Sequence, residues 1–600
     1  MYSYLRHMPF HDLQSYLGAL EARGDLRRVA AEVDPVLEIT EIATRMLREE
    51  GPALLFERVT GSPFPLAINF LASHRRIELV LGQEPAALGE ALVGLWEAAQ
   101  SLSPRRLLAQ RRALGGLLAM RLRRVARAPV QDVVEPPELS SLPVLQCWPG
   151  DAGRFITFGL VLTQHPDTGR RNLGVYRLQV RGPDTTGMHW QLQKGGGFHY
   201  RVAEEREQPL EVAVVLGGDP GLILAAVAPL PEGIDELLFS GLLRRQPLAM
   251  AAARSLRLLV PARAEFILEG EMRPRERAPE GPFGDHFGHY SESAPFPVFH
   301  VRLITRRARP VYPAAVVGKP PQEDRYLGEA VQMMLGPLLR VLHPELRGLW
   351  AYYEAGFVNF AVAAVAARYP KEALKTAFGL LGMGQFSLTK VLVLVNADVD
   401  PRDFRGVLRA IARHFDPTQD FTLLPRTAYD TLDFASFEME LGSKMVLDAT
   451  TNATAPATPV PSEAAVALAL RSLPEALAAR LGAWALWEDT LLAVQVDGVG
   501  REMLEALVAA DLGSVKLVAA VSRDVDVNDQ VNLLWGLFTR FDPARDVVFR
   551  RSSLRGAWPR HEGPLGIDAT WKHGYPAPLE MPEEIVRRVD RRWREYFPTT

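Results

Sequence analysis

An internal repeat in the last third of the chain constrains the fold more than any other sequence feature. One copy reads LTKVLVLVNADVDPRDFRGVLRAIARHFDPTQDFTLLPR, and the other reads SVKLVAAVSRDVDVNDQVNLLWGLFTRFDPARDVVFRRS. Each copy runs from an apolar strand pattern through Asp-Val-Asp and a helical pattern to Phe-Asp-Pro and a second short strand. The repeat predicts a duplicated C-terminal α/β domain, with a linker-like segment at 450–465 between the copies.

Two aspartates follow the first strand of each copy, namely Asp398 and Asp400 in one and Asp524 and Asp526 in the other. Acidic side chains placed in this way suggest ligands of a metal ion. An aspartate between a strand and a helix more often caps the helix, because its carboxylate accepts hydrogen bonds from the free N–H groups of the first turn. Capping is therefore the favoured interpretation, and a metal site is the alternative.

The first half of the chain contains two regions with different patterns of predicted secondary structure. Residues 10–50 contain two amphipathic patterns and predict two helices, and the runs PALLFERV and FPLAINFL that follow predict short strands. From about residue 155, ITFGLVLTQ and LGVYRLQVRG predict two strands joined by a turn-rich connection, and a helix is expected near 235–256. The middle region is therefore expected to form a barrel-like sheet.

Six hundred residues are more than one hydrophobic core usually organises, so we expect several domains. The predicted fold class is α/β, in the sense of an α+β multi-domain protein with an N-terminal α/β domain, a central split β-barrel and a duplicated C-terminal α/β domain. The predicted domain boundaries are 1–125, 126–310, 311–455 and 456–600.

Charge and cysteine usage exclude several classes of function. The 68 basic and 71 acidic residues leave a net charge of -3, which gives no general attraction for nucleic acid, and no nucleic-acid partner is expected. The lone cysteine, Cys147, excludes an internal disulfide and is interpreted as a small buried apolar residue. The sequence shows neither a signal-peptide pattern nor an apolar run of the ~18 residues that a membrane span needs. A cytoplasmic location is expected.

One basic segment, residues 104–127, holds eight arginines and no acidic residue, with Leu, Met and Val between them. As an amphipathic helix it could contact an anionic membrane surface, which would make the protein peripheral to the inner membrane. The favoured alternative is a helix packed on its own domain or on a neighbouring protomer, since Gly115 and Gly116 would weaken a continuous helix.

Two segments concentrate polar and charged groups beyond what folding requires. The first comprises Asn172–Arg177 and Met188–Gly197, where three consecutive glycines would let backbone approach a phosphate or a flat ring. The second is the loop around Glu280 and Asp285, whose rigid Gly-Pro-Phe-Gly spacer could hold two carboxylates toward one cavity. A glycine turn and a surface turn are the respective alternatives. The histidines here lack zinc-site spacing and are interpreted as packing or hydrogen-bonding groups: His199, His286 and His289.

Taken together, these segments resemble the UbiD family of decarboxylases. The resemblance lies in NLGVYR, MHWQLQKGG, PLPEGIDE, VPARAEFILEG and PEGPFGDH, which occur in the family's order and spacing, and it extends over nearly the whole chain. The length and the duplicated C-terminal unit are similar to the longer members associated with menaquinone biosynthesis. The resemblance implies a carboxy-lyase that uses prenylated FMN (prFMN) and a divalent metal, Mn²⁺ or Mg²⁺, with K⁺ as a further candidate cation.

The resemblance also implies roles for individual residues. Asn172 and Glu236 match the metal-binding positions; Lys194 stands where related ferulic-acid-type enzymes have a third, histidine ligand. Arg177, Glu280 and Asp285 match the catalytic triad, in which the arginine pairs with the glutamate and the aspartate donates a proton. The positions that match flavin contacts are Val175, Tyr176, Arg177, His189, Trp190, Gln191, Lys194, Gly195 and, in the C-terminal domain, Lys390.

The expected function is non-oxidative decarboxylation of a hydroxylated aromatic acid in menaquinone or ubiquinone biosynthesis. A dihydroxynaphthoate-type menaquinone precursor is placed slightly ahead of polyprenylbenzoate as the substrate. Reversible phenolic-acid decarboxylation outside quinone synthesis and a flavin-binding protein without decarboxylase activity are the alternatives. The expected partners are the aromatic acid, a flavin prenyltransferase that supplies the cofactor, and further copies of the same chain.

Overall fold

The computed structural model describes residues 10–100, 110–190, 195–231, 233–451 and 462–598. The chain forms two compact units. The first unit contains Met1–Met334 together with Ala577–Thr600, and the second contains Leu335–Pro576. The sequence of the second unit is therefore inserted within the sequence of the first. The division into four domains stays a prediction.

The N-terminal part of the first unit is an α/β layer. Its four-stranded sheet has the order β1-β2-β3-β14, where β14 is the short strand Tyr312–Pro313. Strand β1 pairs with β2 in parallel, and β3 pairs with β14 in parallel. Asp12 and Ser15 form a capping box that begins the first helix, and a strand separates the two helices predicted over 10–50. The elements are α1 (Leu13–Ala22), β1 (Leu26–Val33), α2 (Glu38–Arg48), β2 (Ala53–Val59), β3 (Leu66–Ile68), α3 (His74–Leu81) and α4 (Pro85–Gln100).

A short three-stranded sheet in the order β11-β10-β4 and five helices follow in this unit. The helix expected near 235–256 ends at Arg244, and the chain continues as a strand because the apolar run Leu248–Ala252 pairs with both neighbours. The elements are α5 (Arg111–Leu118), β4 (Leu122–Arg124), β5 (Val133–Glu135), α6 (Gly195–Glu205), α7 (Pro220–Val227), α8 (Glu236–Arg244), β10 (Leu248–Ala252), β11 (Leu259–Pro261), β14 (Tyr312–Pro313) and α9 (Glu323–Leu335).

The predicted barrel is present. Six strands follow the antiparallel order β12-β9-β6-β7-β8-β13, and pairing of β12 with β13 closes the ring, with β5 added at β13. At Gly270 a side chain would overlap the backbone carbonyl of His300, so glycine lets the two long closing strands approach. The barrel strands are β6 (Phe155–Gln164), β7 (Arg171–Val180), β8 (Thr185–Met188), β9 (Leu210–Leu216), β12 (Phe266–Glu280) and β13 (Ala294–Arg306).

The second unit contains the predicted duplication. Its two five-stranded sheets have equivalent orders, β15-β16-β17-β19-β18 and β20-β21-β22-β24-β23, each with parallel pairs in the centre and antiparallel pairs outside. The first copy comprises α10 (Leu339–Leu342), β15 (Leu346–Ala351), β16 (Phe360–Val365), α11 (Glu372–Leu381), β17 (Val391–Asn396), α12 (Phe404–His414), α13 (Pro417–Asp420), β18 (Phe421–Ala428) and β19 (Leu441–Ala449). Most of the linker-like segment, 452–461, lies outside the described residues.

The second copy follows the same plan. Its elements, with the helix that returns to the first unit, are α14 (Glu463–Arg471), α15 (Glu475–Ala478), β20 (Leu481–Trp487), β21 (Leu491–Val496), α16 (Arg501–Ala509), β22 (Leu517–Val521), α17 (Gln530–Phe538), α18 (Pro543–Asp546), β23 (Val547–Arg555), β24 (Trp558–Ala569) and α19 (Glu583–Tyr596). The copies share one hydrophobic core, in which Phe360 stacks on Phe538 with ring centroids 4.1 Å apart.

The capping role predicted for the four Asp-Val-Asp aspartates is wrong. The N-caps of α12 and α17 are Asp403 and Asp529, because a turn separates the motif from each helix. Asp400 and Asp526 accept hydrogen bonds from the backbone N–H two residues later and so shape that turn. Asp524 binds the guanidinium of Arg540 through both carboxylate oxygens, at 2.8 and 2.6 Å. In the described part of the chain, no group of three or more His, Cys, Asp or Glu residues could hold a metal ion.

Two smaller predictions are resolved in the first unit. Cys147 is buried, at 1% exposure, as expected for a small apolar residue. The part of the basic segment that precedes residue 110 lies outside the described residues. The rest forms α5 and β4 rather than one continuous helix, and Gly116 lies directly against Leu242 of α8. These contacts favour packing of the segment on its own domain.

Candidate active site

The triad residues come from two barrel strands and one loop. Arg177 lies on β7, Glu280 is the last residue of β12, and Asp285 lies in the loop that follows β12. Their side chains meet although they are far apart in sequence. Arg177 Nε and Nη2 donate to Glu280 Oε1 and Oε2 at 2.8 and 3.0 Å, and Arg177 Nη1 donates to Asp285 Oδ2. The expected pairing of the arginine with the glutamate is therefore present, and the same guanidinium also holds the aspartate.

All three residues are shielded from solvent, with whole-residue exposures of 8%, 0% and 7% for Arg177, Glu280 and Asp285. Burial alone would raise the pKa of both carboxyl groups, because a charged group is less stable away from water. For Glu280, hydrogen bonding with His189 and the charge of Arg177 outweigh burial and lower the pKa to about 2. For Asp285, burial is outweighed by hydrogen bonding from His286 and by the Arg177 charge, which hold the pKa well below its usual range. Both groups are carboxylates at neutral pH.

His189 joins this cluster through Glu280 rather than standing apart from it. Its Nδ1 lies 3.1 Å from Glu280 Oε2, and its ring packs on Phe296. Burial and the charge of Arg177 lower the pKa of His189, so the ring is neutral and Nδ1 carries the proton that it donates. The other nitrogen, Nε2, is buried without a hydrogen-bond partner among the described residues. That nitrogen can accept a hydrogen bond from a bound molecule.

The loop after β12 is held by residues that the sequence patterns did not single out. Asp151 accepts hydrogen bonds from the backbone N–H groups of Gly284 at 2.7 Å and of Trp148 at 2.8 Å. Gln179 accepts from the backbone N–H of Gly281, and Ser291 accepts from Arg177 Nη2 at 3.0 Å. Only the closeness of these three residues to the recognised motifs could have suggested them, since none forms a motif of its own.

The chain that returns from the second unit also contacts this loop. The backbone N–H of Tyr290 donates to the carbonyl of Ala577, and the N–H of Leu579 donates to the carbonyl of Gly288 at 3.0 Å. The Leu579 side chain also lies beside Gly284, where an added Cβ would meet it. The loop that carries Asp285 is therefore supported by a segment that lies almost three hundred residues later in the sequence.

The two predicted metal ligands lie near each other at the start of β7 and of α8. Glu236 Oε2 accepts a hydrogen bond from the backbone N–H of Leu173 at 3.0 Å, next to Asn172. Burial raises the pKa of Glu236 to about 7. The Nδ2 of Asn172 is buried without a partner among the described residues, and its side-chain oxygen lies against the backbone of Gly195. A buried carboxylate beside an amide supplies the oxygen ligands that Mn²⁺ or Mg²⁺ prefers, so these residues fit a divalent cation.

Apart from Arg177, His189 and Lys390, six residues were predicted to contact the flavin, and the structure describes four of them. Tyr176 interacts with both Asn172 and Glu236, and its ring meets that of Trp190 edge to face at 4.6 Å; Val175 precedes Tyr176 on β7. The indole Nε1 of Trp190 is buried without a partner in the part of the chain that is described, which leaves a donor for a bound molecule. Gly195 begins α6. Gln191 and Lys194 lie outside the described residues.

Lys390 belongs to the second unit, where its ammonium group is fully buried. Its Nζ lies 2.7 Å from Asp433 Oδ2 and donates to the carbonyl of Phe541 at 3.0 Å. Because Phe541 belongs to the second copy of the repeat, Lys390 links the two copies. These contacts do not support the cofactor role expected for Lys390, which stays a prediction.

The three remaining predicted histidines have the hydrogen-bonding roles expected of them. His199 Nδ1 lies 2.8 Å from Thr163 Oγ1, and His289 Nδ1 lies 3.0 Å from the carbonyl of Phe287. His286 Nδ1 lies 2.6 Å from Asp285 Oδ1.

Comparison with known families accounts for most of the chain. The N-terminal domain of 3-octaprenyl-4-hydroxybenzoate carboxy-lyase (UbiD) matches residues 17–96, and its Rift-related domain matches residues 122–320. The C-terminal domain of the same family matches residues 325–449 and 463–569. The chain belongs to the UbiD family. This assignment confirms the resemblance predicted from the sequence motifs, and the chain is a UbiD-type decarboxylase, a carboxy-lyase.

Two relatives cover most of this chain, and one of them is named as a decarboxylase. The chain is 42% identical over 448 residues to an uncharacterized protein of Archaeoglobus fulgidus, and the match covers 74% of this chain and 92% of that protein. It is 36% identical over 594 residues to a Chlamydia pneumoniae protein that is named as one subunit of 4-hydroxybenzoate decarboxylase, with 98% of each chain covered.

Two solved enzymes share the fold. The UbiD-class enzyme HmfF of Pelotomaculum thermopropionicum, in complex with FMN, superposes with a TM-score of 0.62 and 28% identity over 75% of this chain and 98% of that one. An evolved dimeric form of HmfF has been solved with prFMN. Vanillic acid decarboxylase of Sedimentibacter hydroxybenzoicus, in its closed form, superposes with a TM-score of 0.66 and 25% identity over 76% and 97%. Across the described residues, none of the helices combines the length and the apolar character needed to cross a bilayer.

Proposed function

We propose that this UbiD-type decarboxylase removes CO₂ from a hydroxylated aromatic carboxylic acid, with prFMN as its cofactor. The observation that carries the proposal is the buried cluster in which Arg177 holds the carboxylates of Glu280 and Asp285. A protein that only bound flavin would not need a buried arginine between two ionised acids. The names of two similar proteins, for 4-hydroxybenzoate and for vanillic acid, support a hydroxylated aromatic substrate.

Asn172 and Glu236 would hold the divalent metal, Mn²⁺ or Mg²⁺, whose charge would balance both the buried carboxylate and the flavin phosphate. K⁺ is a further candidate cation. The residues proposed to line the flavin are Val175, Tyr176, Arg177, His189, Trp190, Gln191, Lys194 and Gly195. A flavin prenyltransferase would supply the modified cofactor. Solved HmfF contains FMN or prFMN, which supports a flavin site in this fold.

When bound, the prenylated flavin would serve as the sink for the electrons released as CO₂ leaves. Arg177 would orient the substrate carboxylate, because its planar guanidinium forms paired hydrogen bonds with carboxylate groups. Glu280 holds this guanidinium in place through both of its oxygens. Asp285 would deliver a proton to the carbon atom that loses the carboxylate. Since Asp285 is ionised in the ground state, it must receive that proton within each turnover.

A place in quinone synthesis, with a dihydroxynaphthoate-type acid ahead of polyprenylbenzoate, is the first candidate for the pathway. Reversible decarboxylation of simple phenolic acids is the second, and the names of the 4-hydroxybenzoate and vanillic acid enzymes favour it. We also propose that the protein acts as a homo-oligomer, as a dimeric form of HmfF has been described. A flavin-binding role without catalysis is disfavoured, because Arg177, Glu280 and Asp285 are all present and paired.

Co-expression with a flavin prenyltransferase tests the proposal. Mass spectrometry of the bound flavin should find prenylated FMN, and metal analysis of the same sample should find Mn²⁺ or Mg²⁺. The loaded protein should release CO₂ from hydroxylated benzoates or naphthoates. A protein that binds no flavin after this treatment would contradict the proposal, and loaded protein inactive on both classes of acid would restrict it to flavin binding.

Replacement of Asp285 by asparagine should separate chemistry from binding. The Asp285→Asn variant keeps the volume of the side chain but cannot deliver a proton, so turnover should fall by ~10²–10⁴-fold with flavin and metal content nearly unchanged. Asp167→Asn, in the exposed turn between β6 and β7, is the matched control and should retain wild-type turnover. If folded, flavin-loaded Asp285→Asn keeps more than about a tenth of wild-type turnover, Asp285 is not the proton donor.

A further inference from the structure

The two carboxylate oxygens of Asp285 form hydrogen bonds with different residues, one with Arg177 and the other with His286. Oδ2 accepts from Arg177, whereas Oδ1 lies 2.6 Å from the ring Nδ1 of His286 and 2.7 Å from its backbone N–H. The two hydrogen bonds from one residue fix the imidazole beside the carboxylate. Nδ1 therefore has a direct path along which a proton can pass to Asp285.

His286 differs from Asp285 in its access to water. Its side chain is 25% exposed, whereas that of Asp285 is 10% exposed. His286 also interacts electrostatically with Asp324 at the start of α9, and Asp324 in turn interacts with Asp285. Carboxyl groups therefore lie on two sides of the His286 ring, that of Asp285 and that of Asp324 in α9.

Three of the charged groups around Asp285, namely Arg177, Glu280 and His189, are unsuited to supply its proton. Arg177 does not release a proton at accessible pH. Glu280 is held ionised by Arg177 and by His189, and neutral His189 directs its Nδ1 at Glu280. Burial raises the pKa of Asp151 and of Asp324 to about 6, but His286 is the titratable group that hydrogen-bonds directly to Asp285 at 2.6 Å.

We propose that His286 is the proton relay of this site, carrying a proton from solvent to Asp285 in each catalytic cycle. The inference rests on the proposed function of Asp285. In the overall reaction a carboxylate and one proton give CO₂ and the protonated product, so one proton is consumed. The bond between the ring carbon and the carboxylate breaks and leaves its electron pair for a new C–H bond. Asp285 gives its proton to that carbon, imidazolium His286 reprotonates Asp285 through Nδ1, and neutral His286 takes the next proton from water.

The His286→Gln variant tests the relay, because glutamine can form hydrogen bonds but does not titrate. In flavin-loaded enzyme we expect turnover to fall by about tenfold or more near neutral pH, and the dependence of turnover on pH to change. His300→Gln is the matched control: this histidine also pairs with a carboxylate, that of Glu276 at 3.0 Å, and lies on β13. It should retain both the rate and the pH profile of wild type.

Chemical rescue separates a relay from a structural role. In His286→Ala, added imidazole should restore a large part of the lost turnover, whereas it should not restore Asp285→Asn. In flavin-free protein, the ring-proton NMR signals of His286, identified by their absence in His286→Gln, should titrate differently in Asp285→Asn.

The outcomes distinguish the two proposals. If wild-type enzyme is active and His286→Gln keeps more than a third of its turnover with an unchanged pH profile, the relay is wrong and the proposed function stands. Loss of turnover in His286→Ala without any rescue by imidazole also contradicts the relay. If loaded wild-type enzyme decarboxylates no aromatic acid, the proposed function fails before the relay is reached.

Discussion

At the scale of single residues, four buried carboxyl groups of the first unit illustrate two classes. Glu280 and Asp285 face a guanidinium, and its charge keeps them ionised although burial opposes this. Burial dominates for Glu236 and Glu323, and it raises the pKa of each to about 7. Glu280 and Asp285 are therefore ionised near neutral pH. Glu236 and Glu323, the second class, are destabilised there by their own negative charge unless a cation or a proton is present.

Glu323 gives a test of this second class away from the proposed active site. Its Oε1 accepts from the backbone N–H of Leu71 at 2.6 Å, and Oε2 is buried without a partner among the described residues. Because the folded-state pKa of about 7 lies above the ordinary value of 4.5, folded protein retains the proton over this range. The stability from this group is complete below pH 4.5 and is lost as the pH rises through 7.

We expect Glu323→Gln to remove that loss. Between pH 5 and pH 8, the free energy of unfolding of wild type should fall by ~1–3 kcal/mol relative to the variant. Urea unfolding of both proteins at the two pH values measures the difference. A constant difference between the two proteins across this range would show that Glu323 does not titrate there.

Motif residues could be predicted from the sequence, and their supporting residues could not. Glu280 and Asp285 lie in one contiguous sequence motif, so their closeness in space could be predicted from the sequence. Asp151 reaches the same loop only through the folded chain and carries no pattern of its own. The low pKa of Asp285 was also unpredictable, since it depends on how Arg177 and His286 are oriented.

At the scale of elements, the duplicated domains are joined by a shared core with a buried ion pair. Lys390 and Asp433 are 0% and 2% exposed, and Lys390 also donates to the carbonyl of Phe541 in the second copy. Such a pair gives limited net stability, but the loss of one partner leaves a buried charge without compensation. The two copies should therefore depend on both residues of the pair.

Lys390→Met should lower the free energy of unfolding by ~3–5 kcal/mol, and the double variant with Asp433→Asn should recover much of this loss. Lys516→Met is the matched control, because Lys516 is the equivalent, half-buried residue of the second copy. Urea unfolding gives the free energies, and flavin absorbance after co-expression should be unchanged. A loss of flavin without a loss of stability would instead favour the flavin-contacting role expected for Lys390.

The duplication was predictable because both copies repeat the same alternation of strand and helix. The starts of the helices were misplaced. The Asp-Val-Asp aspartates form turns, and the caps come later, at Asp403 and Asp529. A local pattern indicates that a helix is near, but the turn that precedes it sets where it begins.

At the scale of the whole molecule, the second unit is an insertion within the first. Its hydrophobic clusters are made entirely of residues between 335 and 576. We therefore expect residues 335–576, expressed alone, to fold and to unfold cooperatively in urea, as followed by circular dichroism and tryptophan fluorescence.

A fragment with only the first copy, residues 335–455, is the matched comparison. It lacks Trp535 and Phe538, which complete the shared core, so it should be far less stable. An unfolded 335–576 fragment, or an equally stable 335–455 fragment, would contradict this account of the second unit.

The return of the chain also sets an order of events during synthesis on the ribosome. Glu38, fully buried in α2, receives Arg592 and Tyr596 of α19, and the loop that carries Asp285 receives the backbone of Leu579. The inserted unit is complete before these residues emerge. The first unit therefore lacks residues 577–600 while the more than two hundred codons of the second unit are translated. The loop that carries Asp285 gains the contact with Leu579 only after the second unit has been synthesised, so a chain terminated before residue 577 would contain a folded second unit and a first unit whose loop lacks this support.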